Sequence, residues 1–270
     1  MAEPIYLDTD SDERDQYLTN LSWSPDGSRI ALAIVNRDQN AFEFALFDAS
    51  SGEKIGTLFT EEDEQWAEPE HPAYWVSNEK FVWMSERDGF MNLYLYSTSG
   101  KLLRQLTKNR FVATGILGVS DKGEVVFTAT GLDPREQHLY AVSLRGKQRQ
   151  LTSERGYHNI AFQDGGNLFV DNYQSVEVPR VIQLKDTKGS TTRVLLNANN
   201  PWEGKQIPQP ELGSIEGPDG SVLYTRMIKP FDFDPTKKYP VLVYVYGGPH
   251  AQMVTNRWNA GASLWMNEFA

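Results

Sequence analysis

A repeat runs through the first two hundred residues and limits what this chain can fold into. Each copy opens with a short apolar or aromatic run, a tight polar turn and a second apolar run. The first copy is Leu21-Ser22-Trp23, Pro25-Asp26-Gly27, then residues 30–35. The second is Ala73-Tyr74-Trp75, Ser77-Asn78-Glu79, then 81–84. The third is 116–119, a turn over 120–123, then 125–128, and the fourth is Ile160-Ala161-Phe162, Asp164-Gly165-Gly166, then 168–170. Each copy closes with a second hairpin: ALFDASSGEKIGTLF, LYLYSTSGKLLRQLT, LYAVSLRGKQRQLT and VIQLKDTKGSTTRVLL. The turn glycines of these hairpins, Gly52, Gly100, Gly146 and Gly189, are spaced 48, 46 and 43 residues apart.

Glycine and Asx turns between alternating runs signal hairpins. Four short strands in about 40–50 residues make one propeller blade. A β-sandwich also contains hairpins, but gives no reason for the same two-hairpin unit to recur. A blade does, because each unit buries its faces against its neighbours. The expected fold is therefore mainly β: a partial β-propeller of about four blades over residues 1–204. Propellers run from about four to eight blades, and an open arc of four would leave apolar end faces uncovered. The N-terminus is thus expected to cut into a larger propeller, the alternative being a small closed ring.

Composition narrows the function. With 40% hydrophobic and 12% aromatic residues a buried β core is expected. The net charge of −10, with no Lys/Arg cluster, argues against a nucleic-acid partner. Cysteine is absent, which excludes disulfides, thiolate catalysis and Cys-based zinc sites. No apolar run reaches the roughly 18–20 residues that span a bilayer, and the opening MAEPIYLDTDSDERDQ does not read as a signal peptide.

The pattern changes after Asn200. Asn199 to Gly204, then Pro208 and Pro210, interrupt the repeat. The stretch ELGSIEGPDGSVLYTRMIKP reads as a hairpin turning at Pro218-Asp219-Gly220. Residues 241–246, VLVYVY, are apolar throughout and end at Gly247-Gly248-Pro249. Such a run predicts a strand buried on both faces of an α/β sheet. Residues 256–270 are expected to form the helix that follows. Residues 205–270 then read as the beginning of a second domain. Two or three strands cannot complete an α/β sheet, so this part is expected to be poorly ordered or sticky by itself.

Here the sequence becomes recognisable. KKYPVLVYVYGGPHAQMV resembles the first core strand and loop of the hydrolase domain in the dipeptidyl peptidase IV branch of the prolyl oligopeptidase family. YLTNLSWSPDGSRIALAIVNRDQN and the hairpin after it resemble a middle blade of the bacterial members. In that family an eight-bladed propeller caps an α/β-hydrolase domain, and a Ser-Asp-His triad cleaves short peptides after proline or alanine near a free N-terminus. The resemblance implies that residues 205–270 begin an incomplete α/β-hydrolase domain. It implies that Tyr246 is the tyrosine whose hydroxyl helps to form the oxyanion hole, with Gly247 and Gly248 allowing close approach to substrate. Read without the resemblance, Tyr246 is simply the last packed residue of a strand.

No G-x-S-x-G occurs. The nearest look-alike, GSIEG at 213–217, has the wrong spacing and precedes the core strand. The resemblance places the triad beyond residue 270 and the acidic pair that grips the substrate amine before residue 1. Glu61-Glu62-Asp63-Glu64 reads as a solvated loop. Residues 66–71, WAEPEH, roughly match a loop that lines the substrate pocket in relatives. His71, His138, His158 and His250 lack metal spacing and read as structural. The expectation is a fragment of a serine exopeptidase, inactive by itself, with no cofactor or metal. Its longer parent would take peptide substrates, sit in the periplasm or cell envelope, and dimerise through the hydrolase domain as the family often does. The alternative is a stand-alone propeller-like binding module without catalysis.

Overall fold

Strand pairing in the computed structural model of the chain, which describes residues 3–9, 15–248 and 251–270, follows the repeat. Four four-stranded antiparallel meanders come first. The first holds β1 (Gln16–Trp23), β2 (Arg29–Asn36), β3 (Ala41–Asp48) and β4 (Lys54–Glu62). The second holds β5 (Tyr74–Ser77), β6 (Lys80–Ser85), β7 (Asn92–Ser97) and β8 (Leu102–Gln105). The third holds β9 (Ala113–Val119), β10 (Glu124–Ala129), β11 (His138–Ser143) and β12 (Gln148–Gln150). The fourth holds β13 (Tyr157–Phe162), β14 (Leu168–Gln174), β15 (Val181–Asp186) and β16 (Thr191–Asn197). These are the blades of a partial β-propeller, and the sheets are open. A separate hairpin pairs β17 (Pro210–Glu216) with β18 (Val222–Ile228).

The turns form where short side chains replace backbone hydrogen bonds. Asp48 Oδ1 accepts the backbone N–H of Ser50 at 2.8 Å and of Ser51 at 3.0 Å. Asp186 accepts from Lys188 at 2.9 Å, and Asp219 from Ser221 at 3.1 Å. These are Asx turns. Hydrogen bonds from the Ser28 backbone and from the Ser24 and Ser28 hydroxyls pull the Asp26 carboxyl down to about 2.

The repeating glycine has a packing reason as well. At Gly100 (φ 81°) a β-carbon would lie 2.1 Å from the Leu58 carbonyl oxygen in β4. At Gly52 (φ 79°) one would lie 2.0 Å from the Tyr6 carbonyl oxygen. Only glycine accepts both the left-handed backbone and that approach. The turn of one blade thus abuts the outer strand of the blade before it. For the first blade the residues around Tyr6 take that place, and Asp8 N–H donates to the Gly52 carbonyl at 2.9 Å.

The chain divides into two units, Met1–Ala129 with Tyr140–Arg149, and Thr130–Leu139 with Gln150–Ala270. In the first unit, aromatic side chains of the first two blades interleave. Phe44 lies 4.6 Å from Trp83 between ring centroids, and Phe59 stacks on Tyr96 at 4.5 Å. Phe44, Phe81 and Trp83 are fully buried. Each such side chain contributes about 1.5–3 kcal/mol by leaving water. A second cluster, including Val82, Leu93, Val125 and Phe127, joins the second and third blades.

In the second unit, residues 241–246 differ from expectation. They form no strand, and the residues are 52–83% exposed. A strand needs a neighbour to take its N–H and C=O groups. β17 and β18 pair with one another, and no described strand lies beside 241–246. The expected helix over 256–270 is shorter, a tight turn at Trp258–Gly261 with positive φ from Asn259 to Gly261, followed by α1 (Leu264–Phe269). Among the described residues no helix is long and apolar enough to cross a membrane.

Candidate functional site

Tyr246 stands at the end of the exposed run. Its side chain folds over Gly248: a β-carbon there would sit 2.8 Å from the Tyr246 hydroxyl oxygen. A larger residue at 248 would push the phenol away. His250, the neighbouring candidate, lies outside the described residues.

The chain after this loop is held by a polar hub. Arg226 of β18 donates through Nη1 to the carbonyls of Met253 (3.1 Å) and Ala260 (2.8 Å). Burial lowers its pKa from the ordinary value. Asn259 donates to Asn267 Oδ1 at 2.8 Å, and Asn267 donates to the Pro208 carbonyl at 2.8 Å. Asn259, Ala260 and Gly261 are all left-handed, with φ of 56°, 49° and 72°. For Asn259 and Ala260 that conformation costs about 1–2 kcal/mol each, and the hydrogen bonds around the turn offset it.

The same segment docks on a buried carboxylate. Glu136, just before β11, is only 5% exposed. It faces His138 Nε2 at 3.1 Å, Arg155 Nε at 3.0 Å and Asn256 Nδ2 at 2.9 Å. Burial pushes the Glu136 carboxyl up, but the hydrogen bonds from His138 and Asn256 and the Arg155 charge outweigh it, and the group sits below its ordinary value. Asp133 joins through Arg135 (2.8 Å) and Arg155 (3.0 Å). The hydrogen bond from Arg135 is the main reason its carboxyl is lowered.

His138 also contacts Thr152 Oγ1 at 3.2 Å. His158, with no exposed surface, faces Asp171 through Nδ1 at 3.0 Å and the Glu154 carbonyl through Nε2 at 2.9 Å. Both histidines are held inside the second unit by side chains of the blades. Among the described residues no three metal-ligating side chains gather as a metal site would.

In the first unit, Glu61 departs from the solvated loop expected of residues 61–64. It lies within β4. Its carboxylate accepts from Trp83 Nε1 at 2.9 Å and Ser85 Oγ at 2.6 Å, and pairs with Arg87. Arg87 in turn donates to the Tyr96 hydroxyl at 2.7 Å and lies 4.5 Å from the Tyr94 ring centroid. The charge-run pattern missed this because the partners come from the next blade. In the 66–71 loop, Trp66 is exposed and Ala67 buried. Ala67 N–H donates to the Gln39 carbonyl at 2.9 Å. His71 is half-buried, 3.8 Å from Glu70, and burial pushes its imidazole below the ordinary value, with Glu70 opposing.

Sequence reasoning also missed Glu136 and Asn256. Glu136-Gln137-His138 enters a strand, where alternate residues share a face. That spacing was the available signal for the Glu136–His138 pair. Nothing local pointed to Asn256.

Four-stranded antiparallel blades in series define the class as β-propeller. The model of the family described as "Dipeptidyl peptidase IV (DPP IV) N-terminal region" matches residues 3–180, and the chain belongs to that family. A protein from Bacteroides ovatus, provisionally described as a dipeptidyl aminopeptidase IV, superposes with a TM-score of 0.92 at 37% identity, over 99% of this chain and 41% of its own. The dipeptidyl peptidase 4 of Porphyromonas gingivalis shares the fold, with a TM-score of 0.87 at 23% identity, over 99% of this chain and 38% of its own. The dipeptidyl peptidase 4 of Arthroderma otae is 28% identical over 263 residues, 92% of this chain and 34% of that protein. The chain thus spans about a third of the length of the curated relatives it matches.

Proposed function

We propose that this chain is the blade-bearing and oxyanion-donor portion of a serine exopeptidase that releases N-terminal dipeptides, or tripeptides, after proline or alanine. The observation that carries this reading is the likeness to dipeptidyl peptidase 4 proteins over 92% of the chain, well past the blades. In this reading residues 205–270 begin an α/β-hydrolase domain and 241–246 become a core strand once neighbouring strands flank them. Peptides are the substrates.

Tyr246 has the chemistry for the role. When a nucleophile adds to the scissile carbonyl, the C=O electron pair moves to oxygen. A phenol O–H aimed at that oxygen stabilises the charge as it develops. The glycines that follow let the backbone approach the same point. In this reading the serine nucleophile stands on a G-x-S-x-G elbow, and none occurs in these residues.

Two measurements test the reading. The chain alone is expected to release no chromophore from Gly-Pro or Ala-Pro chromogenic dipeptides, and turnover sensitive to a serine-directed inhibitor would refute it. In a polypeptide joining this chain to a nucleophile-bearing segment, Tyr246→Phe is expected to lower kcat by about 10²–10³ with little change in KM. An unchanged kcat would remove Tyr246 from the oxyanion hole.

A further inference from the structure

Asn256 has its polar groups occupied by three different points of the blade strip. Its backbone N–H donates to the Arg135 carbonyl at 2.8 Å. Its side-chain amide donates to Glu136 Oε1 at 2.9 Å. Its side-chain carbonyl accepts the Val176 N–H at 3.2 Å. The neighbours reinforce the contact. Thr255 is buried, and the Arg257 guanidinium lies 3.4 Å from the Tyr157 ring centroid. Met253, just upstream, is held by Arg226.

We propose that Asn256 is a positioning residue, which fixes the segment after the Tyr246 loop on the loops around β11 and β14 and thereby sets where Tyr246 is presented. The proposal rests on the reading of Tyr246 as oxyanion donor. The physical basis is the buried Glu136 carboxylate. A hydrogen bond to a charged group is worth more than a neutral one, and a buried acceptor that loses its donor is left with the full desolvation cost. The contact therefore has one good geometry. With Met253 and Asn256 both held, a short span of chain separates Tyr246 from fixed points.

The test compares the chain with its Asn256→Asp variant. That substitution keeps the shape, the backbone donor and the carbonyl acceptor, and places a second carboxylate against Glu136. The charged groups around it are Glu136, Asp133, Arg135 and Arg155, with His138 beyond Glu136 and Arg257 adjacent in sequence. Amide exchange at 255–257 is expected to speed up roughly ten- to hundred-fold, as for loss of a hydrogen bond to a charged group. The Tyr246 ring signal of a ¹³C-tyrosine-labelled chain, assigned by Tyr246→Phe, is expected to move. Exchange in the β14–β15 ladder of the same unit should stay as in the parent, reporting that this unit is still folded. Two conditions should restore both readouts: mild acidification that protonates the introduced carboxyl while Glu136, held below its ordinary value, stays ionised, and the second substitution Glu136→Gln, whose amide can donate to it. Unchanged exchange at 255–257 would overturn the latch. Faster exchange with an unmoved Tyr246 signal would show that Asn256 holds only its own segment, and would overturn the positioning role. Neither readout uses substrate, so failure of the oxyanion reading in the peptidase assay would leave them standing.

Discussion

Two apolar runs in this chain have nearly the same character and opposite fates. Residues 81–84, Phe-Val-Trp-Met, are at most 2% exposed in the middle of the second blade, flanked by β5 and β7. Residues 241–246, Val-Leu-Val-Tyr-Val-Tyr, are as hydrophobic and as rich in β-formers, yet they are exposed and unpaired. The difference lies in the neighbours. In a blade, the strands on both sides come from the same stretch of sequence, joined by two tight turns. Residues 241–246 have no such partners nearby, and β17 and β18 satisfy one another. High β-propensity describes how well a side chain fits a pleated surface; it does not supply the surface.

The sharpest way to break the comparison is to remove one side chain from each run. Trp83→Ala is expected to cost about 3–5 kcal/mol, as for other buried tryptophans, and it also strips a donor from Glu61. Urea denaturation monitored by circular dichroism should show the midpoint fall sharply. If the loss is under about 1 kcal/mol, the interleaved aromatics are not what joins the first two blades.

Acidification should produce a smaller effect, and in the second unit. The Glu136 and Asp133 carboxyls lie below their ordinary values in the folded chain. Between the folded and unfolded values the unfolded state binds more protons, so their stabilisation is complete above about pH 5, where unfolded carboxyls are ionised, and is lost as pH falls through the folded values. Exchange at 255–257, corrected for the intrinsic pH dependence, should rise before the β6–β7 ladder opens. The reverse order would separate the Asn256 contact from the Glu136 charge.

The smallest effect is expected at the exposed run. Val243→Ala should change stability by less than about 0.5 kcal/mol, as surface substitutions do. The same urea experiment measures it, and a loss near that of Trp83→Ala would mean that 241–246 is packed in solution.

Much of the propeller was legible because its determinants are local. Asp48, Gly52 and their counterparts in the other blades form turns within a few residues, and the alternation between those turns sets the strands. The hairpin over 210–228 was legible for the same reason. The hub around Arg226 was not, because its acceptors at 253 and 260 lie 27 and 34 residues further along the chain. Glu61 was misread as solvated because Trp83, Ser85 and Arg87, which hold it, belong to another hairpin.

The amino-acid sequence by itself determined where the turns fall, which residues alternate between them and hence that the chain builds successive antiparallel blades. It also carried the family likeness that points to Tyr246. Only the tertiary structure decided that Glu61 serves the next blade, that His158 faces Asp171, that Asn256 reaches back 120 positions to Glu136, and that the run ending at Tyr246 remains outside any sheet. The physical reason is range. A turn is settled by groups a few bonds apart, whereas a buried charge or an unpaired strand is settled by whichever distant groups the fold brings, or fails to bring, within hydrogen-bonding distance.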